Sequence, residues 1–280
     1  MNNDSIFVDD ILKEYTSPTY LGGGGQKVVY RAIHPLYGKV VVKIGKYQNN
    51  HALERIRREV QILSKISSPY FPTQYSFNTV KENRFSIVEE YIDGIVLQEC
   101  MTKYNSECII LEFALQMIEI LINLWERNIV HRDIKPENII ITADGPKVID
   151  LGIARVMDST SLTLSLAPFG PCTPNYAAPE QLQNLKRKID HRSDQFSLGI
   201  VVAQLLLNGQ HPFDPNVVND GSSIPENILN GKWATFKVKD SASPEFFSVI
   251  QKMLGIQPYS RFRLYKDLQK SILAIHRRFQ

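Results

Sequence analysis

The stretch HRDIKPENIIITADGPKVIDLG, residues 131–152, concentrates the groups with which this chain could do chemistry. Two short apolar runs, 139–142 and 147–149, flank Ala143-Asp144-Gly145-Pro146. Asp-Gly between strand-like runs predicts a hairpin. A hairpin brings its open ends together, which sets Asn138 beside Asp150. Asp133 lies just upstream, in the loop feeding the same end. Two carboxylates and an amide oxygen suit a hard cation such as Mg²⁺. Singly, each reads as a solvated loop residue. Converging, with Lys135 between them, they read as a site.

A second candidate is YLGGGGQKVVYRA, residues 20–32. Bare backbone amides can cradle a phosphate. The Gly-Lys-Ser/Thr of a Walker loop is absent, because Gln26 precedes Lys27 and Val28 follows it.

Segment 131–152 resembles the catalytic loop and metal-binding segment of protein kinases, H-R-D-x-x-x-x-N followed by D-F-G, with Leu151 in place of the Phe. The glycine loop resembles the kinase pattern G-x-G-x-x-G-x-V at Gly22, Gly24 and Val29, with Lys27 at the third glycine. VVVK resembles the strand carrying the ATP lysine, Lys43. CTPNYAAPEQ, residues 172–181, resembles the segment ending in Ala-Pro-Glu. Asp194 and Arg261 resemble the central-helix acid and the late arginine that pairs with Glu180. Lys135, two residues after Asp133, resembles the Ser/Thr-specific form, and EYIDG and APEQ resemble the bacterial Hanks-type kinases.

The resemblance implies an α+β, bilobal protein-kinase fold over residues 1–280. The N-lobe would cover 1–92 and the C-lobe 93–280, with an activation segment at 150–180. It implies an ATP- and Mg²⁺-dependent serine/threonine protein kinase acting on protein substrates. Asp133 would orient the substrate hydroxyl and accept its proton, and Lys135 would neutralise the moving phosphoryl group. Asn138 and Asp150 would hold Mg²⁺. Leu21, Gly22, Gly23, Gly24, Gly25, Val29, Lys43 and Glu59 would surround the nucleotide, with the backbone of Glu90 and Ile92 reading adenine. Arg132 could pair a phosphate on the activation segment, where Thr163 and Ser165 are the favoured autophosphorylation sites. Thr173 is a weaker candidate for phosphorylation, since it resembles a threonine that bonds the catalytic Asp and Lys. Two other readings remain: a pseudokinase serving as a scaffold, and a small-molecule kinase of related fold.

The positioning elements follow from pattern. Residues 28–33, 39–44 and 84–91 are β-rich runs, with a helix over 51–66. On that helix Glu59 lies among Ile56, Val60 and Leu63, whereas Glu54 lies opposite. Glu59 is therefore the expected partner of Lys43. Glu89 stands where the family is usually apolar. It is either tolerated at a wet pocket edge or contacts Lys43 and draws it from Glu59. After residue 94 the pattern turns helical: 108–128 has a wide apolar face, and 194–209 is apolar nearly all round.

Composition agrees with an ordinary globular chain, 43% hydrophobic and 22% charged over 280 residues. A net charge of +3 argues against a nucleic-acid partner. Three cysteines without metal spacing suggest reduced thiols. The polar, acidic start is not a signal peptide, and the apolar run 196–207 is too short for a membrane span. These features predict a cytoplasmic protein without membrane insertion, regulated through a protein partner or its activation segment.

Overall fold

The computed structural model describes residues 3–24, 27–64, 66, 68–80, 83–150, 155–156, 173–219 and 222–279. The chain divides into two compact units, Met1–Asp93 and Gly94–Gln280.

The first unit opens with helix α1 (Asn3–Leu12). Strands β1 (Thr16–Gly24), β2 (Lys27–His34) and β3 (Gly38–Lys46) follow. Helix α2 (Asn50–Leu63) then precedes β4 (Gln74–Val80) and β5 (Arg84–Glu90). The five strands form one antiparallel sheet in the order β1-β2-β3-β5-β4. Alternation along β3 decides its faces. Val40, Val42 and Ile44 are buried, joining Ala32, Val88 and Leu12 in one apolar cluster. Val41 and Lys43 belong to the opposite face.

Sequence reading placed a single helix in this unit, and α1 is an addition to it. Its polar composition hides an apolar stripe, Val8, Ile11 and Leu12, at helical spacing. That stripe packs on the Val40–Val42–Ile44 face. Burying Leu12 there contributes about 2 kcal/mol.

The second unit begins with β6 (Ile95–Val96), α3 (Leu97–Cys100) and α4 (Glu107–Trp125). Then come β7 (Ile129–Val130), β8 (Ile139–Thr142), β9 (Gly145–Val148) and β10 (Arg155–Val156). The rest is helical: α5 (Pro179–Leu182), α6 (His191–Leu206), α7 (Pro215–Val218), α8 (Ile224–Asn230), α9 (Thr235–Ser241), α10 (Pro244–Met253) and α11 (Tyr265–His276). Helix α4 buries ten side chains, among them Leu111, Ala114, Met117, Ile118 and Leu121, and packs against α6 and α11. It, and not 196–207, is the chain's longer apolar helix, with the length and composition of a membrane span. Its burial identifies it as a core helix of this unit. Every residue of α6 from Ser193 to Leu206 is buried, as its pattern predicts.

The predicted hairpin is β8–β9, with a tighter turn than the sequence suggested. Thr142 pairs with Gly145, leaving Ala143-Asp144 as a two-residue connection. Gly145 has φ 109°, a conformation that excludes other residues. Pro146 lies within β9, the edge strand of β6-β8-β9, where a missing N–H costs no sheet pairing.

Candidate active site

Each unit carries its own share of the candidate residues. In the second unit the hairpin aligns its open ends as predicted: the Ile149 N–H donates to the Asn138 carbonyl at 2.9 Å, one step beyond the Ile139–Val148 pair. Asp150 follows directly, in a left-handed conformation with φ 61°.

Asp133 is the hub of this end and is only 5% exposed. Its Oδ1 accepts from Thr173 Oγ1 at 2.6 Å and from the Thr173 N–H at 3.2 Å. Its Oδ2 accepts from Asn138 Nδ2 at 2.9 Å and lies 2.9 Å from Lys135 Nζ. Lys135 also donates to Thr173 Oγ1 at 2.6 Å. Asn138 Nδ2 donates a second bond, to the Asp133 carbonyl, at 2.9 Å. With its amide nitrogen so committed, the oxygen that Asn138 can offer a cation is its side-chain carbonyl. Among the described residues no three His, Cys, Asp or Glu side chains form a metal-binding group. Asn138 and Asp150 supply two hard oxygens, which fits Mg²⁺, an ion that keeps several waters and takes phosphate oxygens as further ligands.

The loop feeding Asp133 is anchored from below. Arg132 has φ 72°, a costly conformation for a residue with a side chain. Its N–H donates to Asp194 Oδ1 at 2.8 Å, and its carbonyl accepts from Gln181 Nε2 at 2.9 Å. Asp194 Oδ2 accepts from the His131 N–H and from Trp125 Nε1, both at 2.9 Å. Burial pushes the Asp194 carboxyl up, against the pull of His131 and these donors. His131 is fully buried, its Nδ1 accepts from the Asp133 N–H at 3.3 Å, and burial holds its pKa down.

The segment after Thr173 is tied to the same frame. Arg261 meets Glu180 through two bonds, Nη1 to Oε1 at 2.7 Å and Nη2 to Oε2 at 2.9 Å, with both side chains buried. Ser193 Oγ adds a third bond to Glu180 at 2.6 Å. Gln181 was not singled out from sequence, although it is the Gln of APEQ. It joins this segment to Arg132, while its Oε1 accepts from the Ala178 N–H at 3.0 Å.

In the first unit the glycine run is mostly strand. Gly22, Gly23 and Gly24 pair with Val29, Val28 and Lys27, so Lys27 opens β2 and does not ride on a loop. Gly25 and Gln26 lie outside the described residues. A Cβ at Gly22 would meet nothing within 4 Å, whereas at Gly23 it would crowd Tyr20 Oη and the Lys27 carbonyl. Leu21 is exposed and Val29 half-buried. The Glu90 N–H donates to the Thr73 carbonyl at 2.8 Å, and Ile92 is buried.

Lys43 is 2.6 Å from Glu89 Oε2. The sequence left two roles open for Glu89, and the structure brings it to the lysine. The side chain of Glu59, Lys43's expected partner, lies outside the described side chains, and Leu151, Thr163 and Ser165 lie outside the described residues. Glu54 is exposed and pairs with Arg57, as helical geometry predicts.

This geometry agrees with the comparisons to known proteins. The protein kinase domain profile matches residues 15–272. The serine/threonine-protein kinase PrkC of Bacillus subtilis is 31% identical over 263 residues, covering 90% of this chain and 39% of that protein. The serine/threonine-protein kinase pkn3 of Myxococcus xanthus is 30% identical over 226 residues, covering 76% and 41%. The serine/threonine-protein kinase PknB of Mycobacterium leprae is 28% identical over 274 residues, covering 91% and 42%. The chain spans about two fifths of the length of these relatives. It belongs to the protein kinase domain family, on the side of the bacterial Hanks-type members.

Proposed function

We propose that this chain is a serine/threonine protein kinase domain that transfers the γ-phosphoryl group of ATP to protein hydroxyls. The observation that carries this reading is Asp133, buried yet bonded at once to Thr173, Lys135 and Asn138. Phosphoryl transfer asks mainly for positioning and electrostatic stabilisation. Asp133 orients the hydroxyl and takes its proton. Lys135, fixed between Asp133 and Thr173, offers a cation to the phosphoryl group in flight. The side-chain carbonyl of Asn138 and the carboxylate of Asp150 would hold Mg²⁺, which when bound neutralises charge on the phosphates. Lys43 meets the phosphates from the sheet, and the opening at Gly22 lets them approach the backbone. Glu90 and Ile92 lie at the end of the sheet where the base would sit. The kinase domain is read as residues 1–280, with protein substrates and with phosphates accepted at Thr163 or Ser165.

The test is transfer from labelled ATP to the protein itself and to a generic protein substrate, followed by mapping of the phosphate. Asp133→Asn is expected to lose transfer at least about a hundredfold while still binding nucleotide. Asp150→Asn is expected to weaken Mg²⁺-dependent nucleotide binding as well. Phosphorylation at the wild-type rate in either variant refutes the assignment. Nucleotide binding without any transfer by the wild type favours the scaffold instead.

A further inference from the structure

The reaction outlined above leaves Glu89 without a role, yet Glu89 Oε2 lies 2.6 Å from Lys43 Nζ, with only 10% of the lysine side chain and 16% of the glutamate side chain exposed. The sheet dictates this contact. Strands β3 and β5 run antiparallel, and Val41 stands opposite Glu89. Lys43 is two residues beyond Val41 and shares its face. Lys43–Glu89 is therefore a diagonal cross-strand pair, a spacing that long side chains span. β5 is an interior strand, with β3 on one side and β4 on the other. Gln74 faces Glu89 from β4. The carboxylate is thus borne by backbone paired on both sides.

A largely buried carboxylate is costly unless it is paired, and the cation bonded to Glu89 is Lys43. A lysine side chain is long and flexible, and its ammonium has three donors. One donor spent on a fixed carboxylate restricts the others to a narrow set of directions.

We propose that Glu89 is a positioning residue for Lys43: a carboxylate on the sheet holds the ammonium so that its remaining N–H donors meet the phosphates of the nucleotide. This rests on the reading of Lys43 as a phosphate-binding lysine. It adds that the lysine and a carboxylate that orients it stand on adjacent strands of one rigid sheet, whatever helix α2 contributes through Glu59. A carboxylate so close could instead act as a brake, repelling phosphates and detaining the lysine. The two roles predict opposite signs when the charge is removed.

The test uses Glu89→Gln, Glu89→Asp and Lys43→Met in the full chain, with kcat and KM for ATP and with dissociation constants for ATP and adenosine. Glu89→Gln is expected to lower kcat/KM for ATP about tenfold, through lost alignment of a charge with the transferring group. It should weaken ATP binding and leave adenosine, which has no phosphate, unchanged. Glu89→Asp keeps the charge and should restore part of the loss. In the Lys43→Met background, Glu89→Gln should not change ATP affinity further, since coupled residues are non-additive. A purely structural role would weaken adenosine together with ATP and overturns the proposal. So does unchanged or tighter ATP binding in Glu89→Gln, or an equal effect with and without Lys43. A wild type that transfers phosphate while Glu89→Gln matches it overturns this inference alone. A wild type that binds no nucleotide overturns the kinase reading and this inference with it.

Discussion

Replacing Asp194 by asparagine separates what holds the fold from what holds the loop before Asp133. Three N–H groups converge on its two oxygens: Trp125 Nε1 and the His131 N–H on Oδ2, and the Arg132 N–H on Oδ1. An asparagine keeps one oxygen. In its better orientation that oxygen serves Trp125 and His131, and the new NH₂ group faces the Arg132 N–H. At least one donor is then left opposed to a donor, at about 1.5–3 kcal/mol for a bond to a charged group. Part of this is offset. Burial raises the Asp194 pKa, so the ionised group favours the fold less and less as the pH rises from the ordinary carboxylate range through the folded value. A neutral side chain escapes that cost. The net loss of stability should be about 1–2 kcal/mol. The loss of activity should be larger. Arg132 is held at φ 72° by its bonds to Asp194 and Gln181, a conformation that costs about 1–2 kcal/mol. Without the Asp194 bond, the peptide before Asp133 can relax, and a displacement of about 1 Å is worth roughly a hundredfold in rate. Urea unfolding followed by tryptophan fluorescence, alongside kcat, measures both effects. A variant with kcat within about twofold of wild type, or one whose kcat falls only because the chain unfolds, refutes the reasoning.

Arg261→Lys should cost about 3 kcal/mol in the same unfolding assay. All five guanidinium N–H donors are used, on both Glu180 oxygens and on the carbonyls of Arg192, Gly255 and Ile256, and lysine brings three; a loss below about 1 kcal/mol contradicts this. His211 should make the chain less stable in acid. Burial lowers its pKa to about 4, Nδ1 accepts from the Phe213 N–H, and Nε2 faces the Asn175 carbonyl. The neutral ring therefore belongs to the fold, and its stabilisation is complete above the unfolded value near 6.5 and lost as the pH falls toward 4. Between pH 7 and pH 4.5 the loss should be about 2 kcal/mol; His211→Gln should flatten that slope, and equal slopes in the two proteins refute it.

The parts legible from sequence were those fixed by short-range pattern. Asp-Gly between two apolar runs gave the β8–β9 hairpin, and the hairpin brought Asn138 to the end that carries Asp133 and Asp150. The strand period put Lys43 with Val41, and the helical period left Glu54 exposed. What pattern could not supply was register between distant strands. Glu89 meets Lys43 because Val41 pairs with Glu89, a relation that neither β3 nor β5 contains by itself. Helix α1 was hidden for another reason: an amphipathic stripe of three residues is weak against a polar background, and only the sheet beneath it makes those residues core.

Helix α6 shows how far a local reading reaches. Its sequence is apolar on every side, which predicts burial, and its polar residues then look like interruptions. In a buried helix a polar side chain must find a partner, so each interruption is also an anchor. Ser193 bonds Glu180, Asp194 bonds the loop before Asp133, Gln195 bonds the Phe262 carbonyl, Ser197 bonds the Tyr176 carbonyl, and Gln204 bonds Tyr176 Oη and the Gly209 carbonyl. These anchors gather the loop before Asp133, the segment after Thr173 and the Arg261 region onto one rigid rod. The sequence alone implies that partners exist. It cannot name them, because chain separation, 13 residues for Glu180 and 62 for Arg132, carries no periodic signal. The same residues that break the apolar run therefore place Asp133, and substitutions along the buried face of α6 should be felt first in the geometry of the loop it carries.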